Sequence, residues 1–436
     1  MEKQNLSIIG LGKLGSPMVA AFASRGYRVI GVDINSDFVR AINEGKPPVS
    51  ETNLAEYLKE NKERFSATQD YKKAVLNSDI TFIIVPTPSE PNGQFSTKYA
   101  IDAAKEIGKA LKEKKDFHIV VLTSTVTPTA TERDLLTTLE QYSGKKCKKD
   151  FGLCYNPEFI ALGNVINGLL KPDFVLIGES DKKSGDILES FYKNLCLNNP
   201  PIKRMSIVNA EITKIALNTF VTTKISYANM LAELCEKIPG GNIDVVTDAL
   251  GCDKRIGHKY LKGALGYGGP CFPRDNRALM STAKKFGVSL PIAEATDKIN
   301  RYQISRLVEK ISSLLPKNGR VCILGLSYKT DTNVIEESQS VEIAKELSEK
   351  GISVTAFDPQ AMENAKKVLN KVSFANSLKE AVESSNVIVI TIPWEEFKTI
   401  EPDWLKPGAI LFDCWKILDA QKYKKTGKYL AVGISS

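Results

Sequence analysis

Hydrophobic and polar positions along this chain follow two rhythms. In the first third, short unbroken apolar runs alternate with segments whose apolar residues recur at helical spacing. The runs are "LSIIG" (6–10), "YRVIGVD" (27–33), "DITFIIVPT" (79–87), "FHIVVLTST" (117–125) and "FVLIGES" (174–180). Each is bounded by Gly, Pro, Asp or Ser, as buried strands of a parallel sheet are. Between the first two, "SPMVAAFASRG" predicts a helix ending at Gly26. Strands and helices in strict alternation point to a doubly wound α/β fold.

From about residue 205 to 300 the strand pattern stops. "NAEITKIALNTFVTTKISYANMLAELCEKI" (209–238) predicts one long helix, and "NIDVVTDAL" and "NRALMSTAKKFG" predict shorter ones. From about 318 the first rhythm returns with "GRVCILGLSYK", "SVEIAKELSEKG" and "ISVTAFDP". "KEAVESSNVIVITIPWEEF" (379–397) repeats the plan of "KKAVLNSDITFIIVPTPSE" (72–90), an internal repeat of a fold unit. The expected architecture is two Rossmann-like domains, 1–204 and 301–436, joined by a helical central domain, 205–300, that also serves oligomerisation.

Composition narrows the function classes. Of 436 residues, 42% are hydrophobic and 25% charged, the balance of a soluble protein with sizeable cores. No apolar run approaches the ~20 residues of a membrane span. The start runs straight into a strand-like segment without a leader, so a cytoplasmic protein is expected. The net charge of +8 comes from scattered lysines, without the long basic block of a nucleic-acid binder. It suits small anionic ligands. Eight cysteines form no CxxC pair, and only His118 and His258 join them, so no metal site is expected.

Four motifs carry chemistry. "GLGKLG" places Gly10, Gly12 and Gly15 between a strand and a helix, with Asp33 ending the next strand. That is the dinucleotide fingerprint in its required context: glycines let the backbone approach a pyrophosphate and the helix N-terminus faces it. Asp33 suits the free ribose hydroxyls of NAD rather than NADP, and Arg40 is too far along to argue otherwise. "GYGGPCFPRD" sets Cys271 between glycines and a proline, with Arg274 and Asp275 after it. A thiol beside a nicotinamide cofactor suggests covalent aldehyde chemistry, although a packed structural cysteine fits the local residues equally well. In "EITKIALNTF", Lys214 and Asn218 share a helix face and suit a developing oxyanion, the alternative being an ordinary exposed lysine. "YNPEF" carries Glu158 on a rigid turn, either an acid/base or a carboxylate that favours a helix start.

Together with "IVPTP", "LTSTV", "RIG", "GLSYKTDT" and "ESQS", these motifs resemble the nucleotide-sugar 6-dehydrogenase family over essentially the whole chain. The resemblance implies oxidation of the CH2OH of a UDP-hexose to a carboxylate in two NAD-dependent steps. Cys271 would form the thiohemiacetal and thioester, Lys214 and Asn218 would stabilise the oxyanion, and Asp275 would position water. Glu158 would serve thioester hydrolysis, and Thr125 would order water near the nicotinamide. Gly10, Gly12, Gly15, Asp33, Thr87 and Thr125 would bind NAD. Phe159, Lys214, Arg255, Lys262, Tyr267, Gly268, Tyr328 and Lys329 would meet the UDP-sugar, with Arg255 reaching into a neighbouring subunit, so a homodimer or larger homo-oligomer is implied.

Some positions depart from the family pattern. Leu162 stands where an acidic residue precedes glycine, Glu336 and Glu337 stand in the "TRES" region, His258 replaces the usual asparagine, and "FDCWK" with Trp415 stands where the family often reads Asp-Gly-Arg. They leave the thioester route intact and open the sugar. UDP-glucose is favoured, and a UDP-N-acetylhexosamine is the alternative. A β-hydroxyacid dehydrogenase shares the start "GLGKLGSPM" but needs neither the loop cysteine nor residues 318–436. A nucleotide-sugar sensor without activity would not need Cys271, Lys214, Asn218 and Asp275 together.

Overall fold

The computed structural model describes residues 4–160, 162–423 and 427–435. The chain divides into two compact units, one up to Ala216 and the other from Leu217 onward, and the division falls inside one helix, Ile207–Lys237.

The first unit is built on eight strands: β1 (Asn5–Ile9), β2 (Arg28–Val32), β3 (Phe65–Thr68), β4 (Ile80–Ile83), β5 (His118–Leu122), β6 (Phe151–Tyr155), β7 (Val175–Glu179) and β8 (Ile202–Ser206). They lie in the order β3-β2-β1-β4-β5-β6-β7-β8. Alternation along each strand feeds two cores. Ile119 and Val121 of β5 join Leu6, Ile8 and Phe82 on one face, whereas Val120 and Leu122 join Ile9 and Ile83 on the other. Helices cover both faces, which is why the strands read as unbroken apolar runs. One pairing departs from the all-parallel expectation. β6 and β7 run antiparallel, with Cys154 opposite Glu179 and Tyr155 opposite Gly178. The short helix between them, Val165–Leu170, does not carry the chain back across the sheet, so β7 enters reversed.

The second unit has six strands: β9 (Arg320–Leu324), β10 (Ser353–Phe357), β11 (Ser373–Phe374), β12 (Val387–Ile390), β13 (Ile410–Asp413) and β14 (Lys428–Ala431). Their order is β11-β10-β9-β12-β13-β14. The helices Ile243–Cys252, Phe272–Lys285 and Pro291–Leu314 precede them.

The internal repeat extends to single hydrogen bonds. The order β3-β2-β1-β4-β5 recurs as β11-β10-β9-β12-β13. Gly10 follows β1 at φ +100° and Gly325 follows β9 at φ +103°. Their N–H groups donate to Val32 O and Phe357 O at 2.7 and 2.8 Å. Asp33 and Asp358 end the neighbouring strands, and each accepts the next N–H, from Leu11 and Leu326, at 2.7 Å. The two copies then diverge. Asp358 is buried and also accepts from Ser327, Trp394, Gln360 and Ala361, so it is spent on holding its loop. Asp33 is half-buried and, among the described residues, accepts one further hydrogen bond, from Asn35 N at 2.8 Å.

The long helix is inside out. Glu211, Lys214, Asn218, Thr222, Ser226 and Asn229, spaced three or four apart, are all buried. Phe220, Tyr227, Met230 and Leu234 are exposed, Phe220 to 68%. No described helix is long and apolar enough to cross a membrane.

Candidate active site

In the first unit the strand order reverses between β1 and β4, and the crevice beyond their C-terminal ends is where such sheets bind ligands. Gly10 sits there. A Cβ on it would lie 2.2 Å from Ile84 O, and its positive φ excludes other residues at little cost only for glycine. A Cβ on Gly12 would meet nothing within 4 Å, so the backbone of this turn is open to a bulky anion. Gly15 opens the helix Gly15–Ser24, whose first turn has no side-chain cap. Helix amides, an open glycine turn and the carboxylate of Asp33 fit a dinucleotide: the amides toward the pyrophosphate, Asp33 toward the ribose. Thr87 Oγ1 donates to Thr125 O at 2.7 Å, and Ser124 Oγ bridges Val85 N and Val85 O at 2.8 and 2.7 Å. These bonds tie the loops after β4 and β5 into one wall of the crevice.

Glu158 and Lys214 meet in the same unit. Lys214 Nζ donates to Glu158 O at 2.8 Å and lies 4.7 Å from the centre of the Phe159 ring. The ammonium is thus held at a fixed point by a carbonyl and an aromatic face. Burial pushes the Glu158 carboxyl up to about 7, with the Lys214 ammonium acting against it. A carboxyl near neutrality can both give and take a proton. Phe159 stacks on Phe174 at 4.8 Å between ring centres. Glu211, one turn before Lys214, is fully buried and accepts from Thr129 N at 2.6 Å and Thr131 N at 2.8 Å. It fastens the loop carrying Thr125 to the helix carrying Lys214.

The second unit gathers the other residues. The helix expected from Asn276 begins at Phe272 instead, with Cys271 as its N-cap and a proline in its first turn. Proline is stable at that position, so the helix starts earlier than its apolar spacing suggests. Cys271 is exposed, and an anion formed there is favoured by the helix N-terminus. Asp275 N donates to Cys271 O at 2.8 Å, and the buried Asp275 carboxylate accepts from Asn218 Nδ2 at 2.6 Å. Arg274 Nε lies 3.9 Å from Asp275 Oδ1.

The glycine run before Cys271 is dictated by close approach. A Cβ on Gly269, at φ +85°, would lie 2.5 Å from the ring of Tyr328, and one on Gly268 would lie 2.4 Å from Glu337 O. Gly269 N donates to Glu336 O at 2.9 Å. Burial, and the Cys271 thiol after it, push the Tyr328 phenol up to about 12. Lys329 Nζ donates to Thr330 O at 3.3 Å, whereas Lys262 is exposed. Tyr267 is buried. Arg255 extends into solvent and pairs with Asp253 at 2.6 Å.

Two buried asparagines hold the loop and escape notice in the sequence. Asn229 accepts from Ala264 N at 2.9 Å and donates to Leu265 O at 3.0 Å. Asn300 accepts from Tyr267 N at 2.8 Å and donates to Tyr267 O at 3.0 Å. Each amide stands in for a neighbouring strand. The available signal was the polar face of the long helix: Asn229 lies on the same face as Asn218, three turns on.

Known proteins match this arrangement along the chain. Residues 4–196 match the NAD binding domain of the UDP-glucose/GDP-mannose dehydrogenase family, residues 208–302 its central domain and residues 322–420 its UDP binding domain. UDP-glucose 6-dehydrogenase AglM of Haloferax volcanii is 33% identical over 403 residues, covering 92% of this chain and 93% of the relative. GDP-mannose 6-dehydrogenase of Pseudomonas aeruginosa is 34% identical over 400 residues, covering 88% and 90%. A UDP-glucose dehydrogenase structure from Pyrobaculum islandicum superposes with a TM-score of 0.90 at 31% identity, covering 100% of this chain and 98% of that one. With NAD as its cofactor, the chain belongs to the UDP-glucose/GDP-mannose dehydrogenase family.

Proposed function

We propose that this enzyme oxidises the C6 hydroxymethyl of a UDP-hexose to a carboxylate, UDP-glucose to UDP-glucuronate being the favoured reaction. The observation that carries this reading is Cys271, an exposed thiol at a helix N-terminus, backed by a buried Asn218–Asp275 pair. When bound, NAD takes up a hydride from the carbon being oxidised. The first oxidation leaves an aldehyde. The Cys271 sulfur adds to its carbonyl carbon, the oxygen takes a proton, and a thiohemiacetal forms. Loss of a second hydride from that carbon, with the hydroxyl proton, gives a thioester. Water then adds and the C–S bond breaks, returning the thiol and releasing the carboxylate.

Lys214 and Asn218 are assigned to the oxyanion, and Asp275 and Thr125 to water. Glu158 is assigned to proton transfer in hydrolysis, for which a carboxyl near neutrality is suited. Phe159, Arg255, Lys262, Tyr267, Gly268, Tyr328 and Lys329 are assigned to the nucleotide sugar. Capture on sulfur explains why an enzyme would use a thiol at all: the aldehyde stays bound for its second oxidation. The exposed apolar stripe Phe220, Tyr227, Met230 and Leu234 supports self-association through the long helix. Domain limits of 1–204, 205–300 and 301–436 remain our assignment for the three functional parts.

Leu162, Glu336 and Trp415 favour a second reading, a UDP-N-acetylhexosamine as substrate. Trp415 Nε1 donates to Thr391 O at 2.7 Å, which puts a large ring at the C-terminal ends of β12 and β13. A panel of UDP-glucose, UDP-N-acetylhexosamines and GDP-mannose, assayed for NAD reduction, decides between them. Two NADH per sugar are expected. One NADH per sugar with released aldehyde would contradict the thioester step.

A further inference from the structure

Glu158 stands next to a polar chain whose proton positions can be worked out. Asn156 is the first residue beyond β6, and its Nδ2 donates to Leu176 O of β7 at 2.8 Å. A carbonyl oxygen only accepts, so this bond fixes the amide: nitrogen toward Leu176, Oδ1 toward Tyr192. The Tyr192 hydroxyl is bonded to that Oδ1. An amide oxygen cannot donate, so the phenolic proton lies on the bond to Asn156. The same Tyr192 oxygen is 3.3 Å from Glu158 Oε1. With its single proton spent, Tyr192 turns a lone pair toward Glu158. Asn156 and Tyr192 are both 2% exposed.

We propose that Asn156 and Tyr192 are a positioning pair that holds Glu158 as a carboxylic acid, its proton donated to the Tyr192 oxygen, until the chemistry needs it. This rests on the assignment of Glu158 as the acid/base. Two oxygens at this separation attract only if one carries a proton for the other, and on Tyr192 that proton points elsewhere. The remaining groups around Glu158 divide. The Lys214 ammonium, on the long helix, favours the ionised form but is anchored to the backbone carbonyl of Glu158 and the Phe159 ring. The Cys196 thiol, after the helix Lys182–Leu195, is pushed up to about 11, first by burial and then by Glu158, so it stays neutral. Arg25 adds a positive charge beside Cys196 and donates from Nε to Leu195 O at 3.0 Å. Burial of Glu158 acts in the same direction as the pair.

The test is a carbon-13 NMR titration of the full-length enzyme labelled at the glutamate δ-carbon, without substrate, with Glu158 assigned through Glu158→Gln. In the wild type, Glu158 should titrate well above the ~4.3 of an ordinary glutamate. In Asn156→Leu the phenolic proton is freed to bond the carboxylate, and the midpoint should fall by about one pH unit. Adding Tyr192→Phe to Asn156→Leu removes that proton and should bring the midpoint back up. A wild-type midpoint near ~4.3, or an Asn156→Leu midpoint unchanged or higher, would overturn the proposal. If Asn156→Leu does not fold, infrared spectra of the wild type at about pH 6 serve instead, where an ordinary glutamate is ionised. A carboxylic-acid band that vanishes in Glu158→Gln supports the pair, and its absence refutes it. None of these readouts involves turnover, so failure of the assigned reaction would be seen separately, in the NAD reduction assay.

Discussion

Asn300→Leu should loosen the loop that presents Cys271, and the structure sets the size of the effect. Asn300 is buried and makes two hydrogen bonds to the backbone of Tyr267, accepting from its N–H at 2.8 Å and donating to its C=O at 3.0 Å. Leucine fills similar space but leaves that N–H and C=O unpaired in a buried setting. Among the described residues, Tyr267 O also accepts from Gln339 Nε2, at a long 3.5 Å. Stranding a buried polar group costs about 1–3 kcal/mol, so the two together cost on the order of 3 kcal/mol. For a unit of this size that lowers the melting temperature by roughly 6–12 °C. Differential scanning calorimetry of the full chain reads this directly. Alkylation of Cys271 by iodoacetamide, followed by peptide mass spectrometry, should quicken in parallel. A melting point within about 2 °C of wild type and unchanged alkylation would refute the reasoning, because the loop would then be held by something other than these amides.

Other expectations are simpler to state. Gly10→Ala places a Cβ 2.2 Å from Ile84 O and should weaken NAD binding at least tenfold by calorimetric titration, about 1.4 kcal/mol or more. His118 is fully buried, and burial depresses its pKa to about 3, so the folded state excludes a proton that the unfolded chain binds below about 6.5. Stability should therefore fall as pH drops from about 6.5 toward 3, by on the order of 4 kcal/mol, and His118→Gln should flatten that slope in urea unfolding measured against pH. Glu211→Ala leaves the N–H groups of Thr129 and Thr131 without their carboxylate and should cost on the order of 3 kcal/mol in urea unfolding, with a higher KM for NAD.

The sequence carried most of the fold because its logic is local. Both sheets bury their strands on two faces, so β1, β4, β5, β9 and β12 stand out as apolar runs, and the repeat around Gly10 and Gly325 follows from one strand–turn–helix plan used twice. The reversed β7 was not legible, because a parallel and an antiparallel strand buried on both faces share one composition. β3, β8 and β11 were missed for the opposite reason: they are edge strands with few apolar residues. In the proposed site, the residues whose type announces chemistry stand out in the sequence: Cys271, Asp275, Lys214, Asn218 and Glu158. The groups that hold them were not. Asn229, Asn300, Glu211, Tyr192 and Ser124 act on backbone far away in sequence, and no spacing rule connects them. Tyr192, for example, lies 34 residues from Glu158.

The central claim is a bond between the Cys271 sulfur and the carbon being oxidised. Rapid quenching in acid during turnover with UDP-glucose and NAD, followed by mass spectrometry of the peptide containing Cys271, measures it directly. A fraction of that peptide should carry the sugar nucleotide as a thioester, absent without NAD and absent in Cys271→Ser. Full turnover to the carboxylate in Cys271→Ser, with no adduct on the wild-type peptide at any time, would contradict the account.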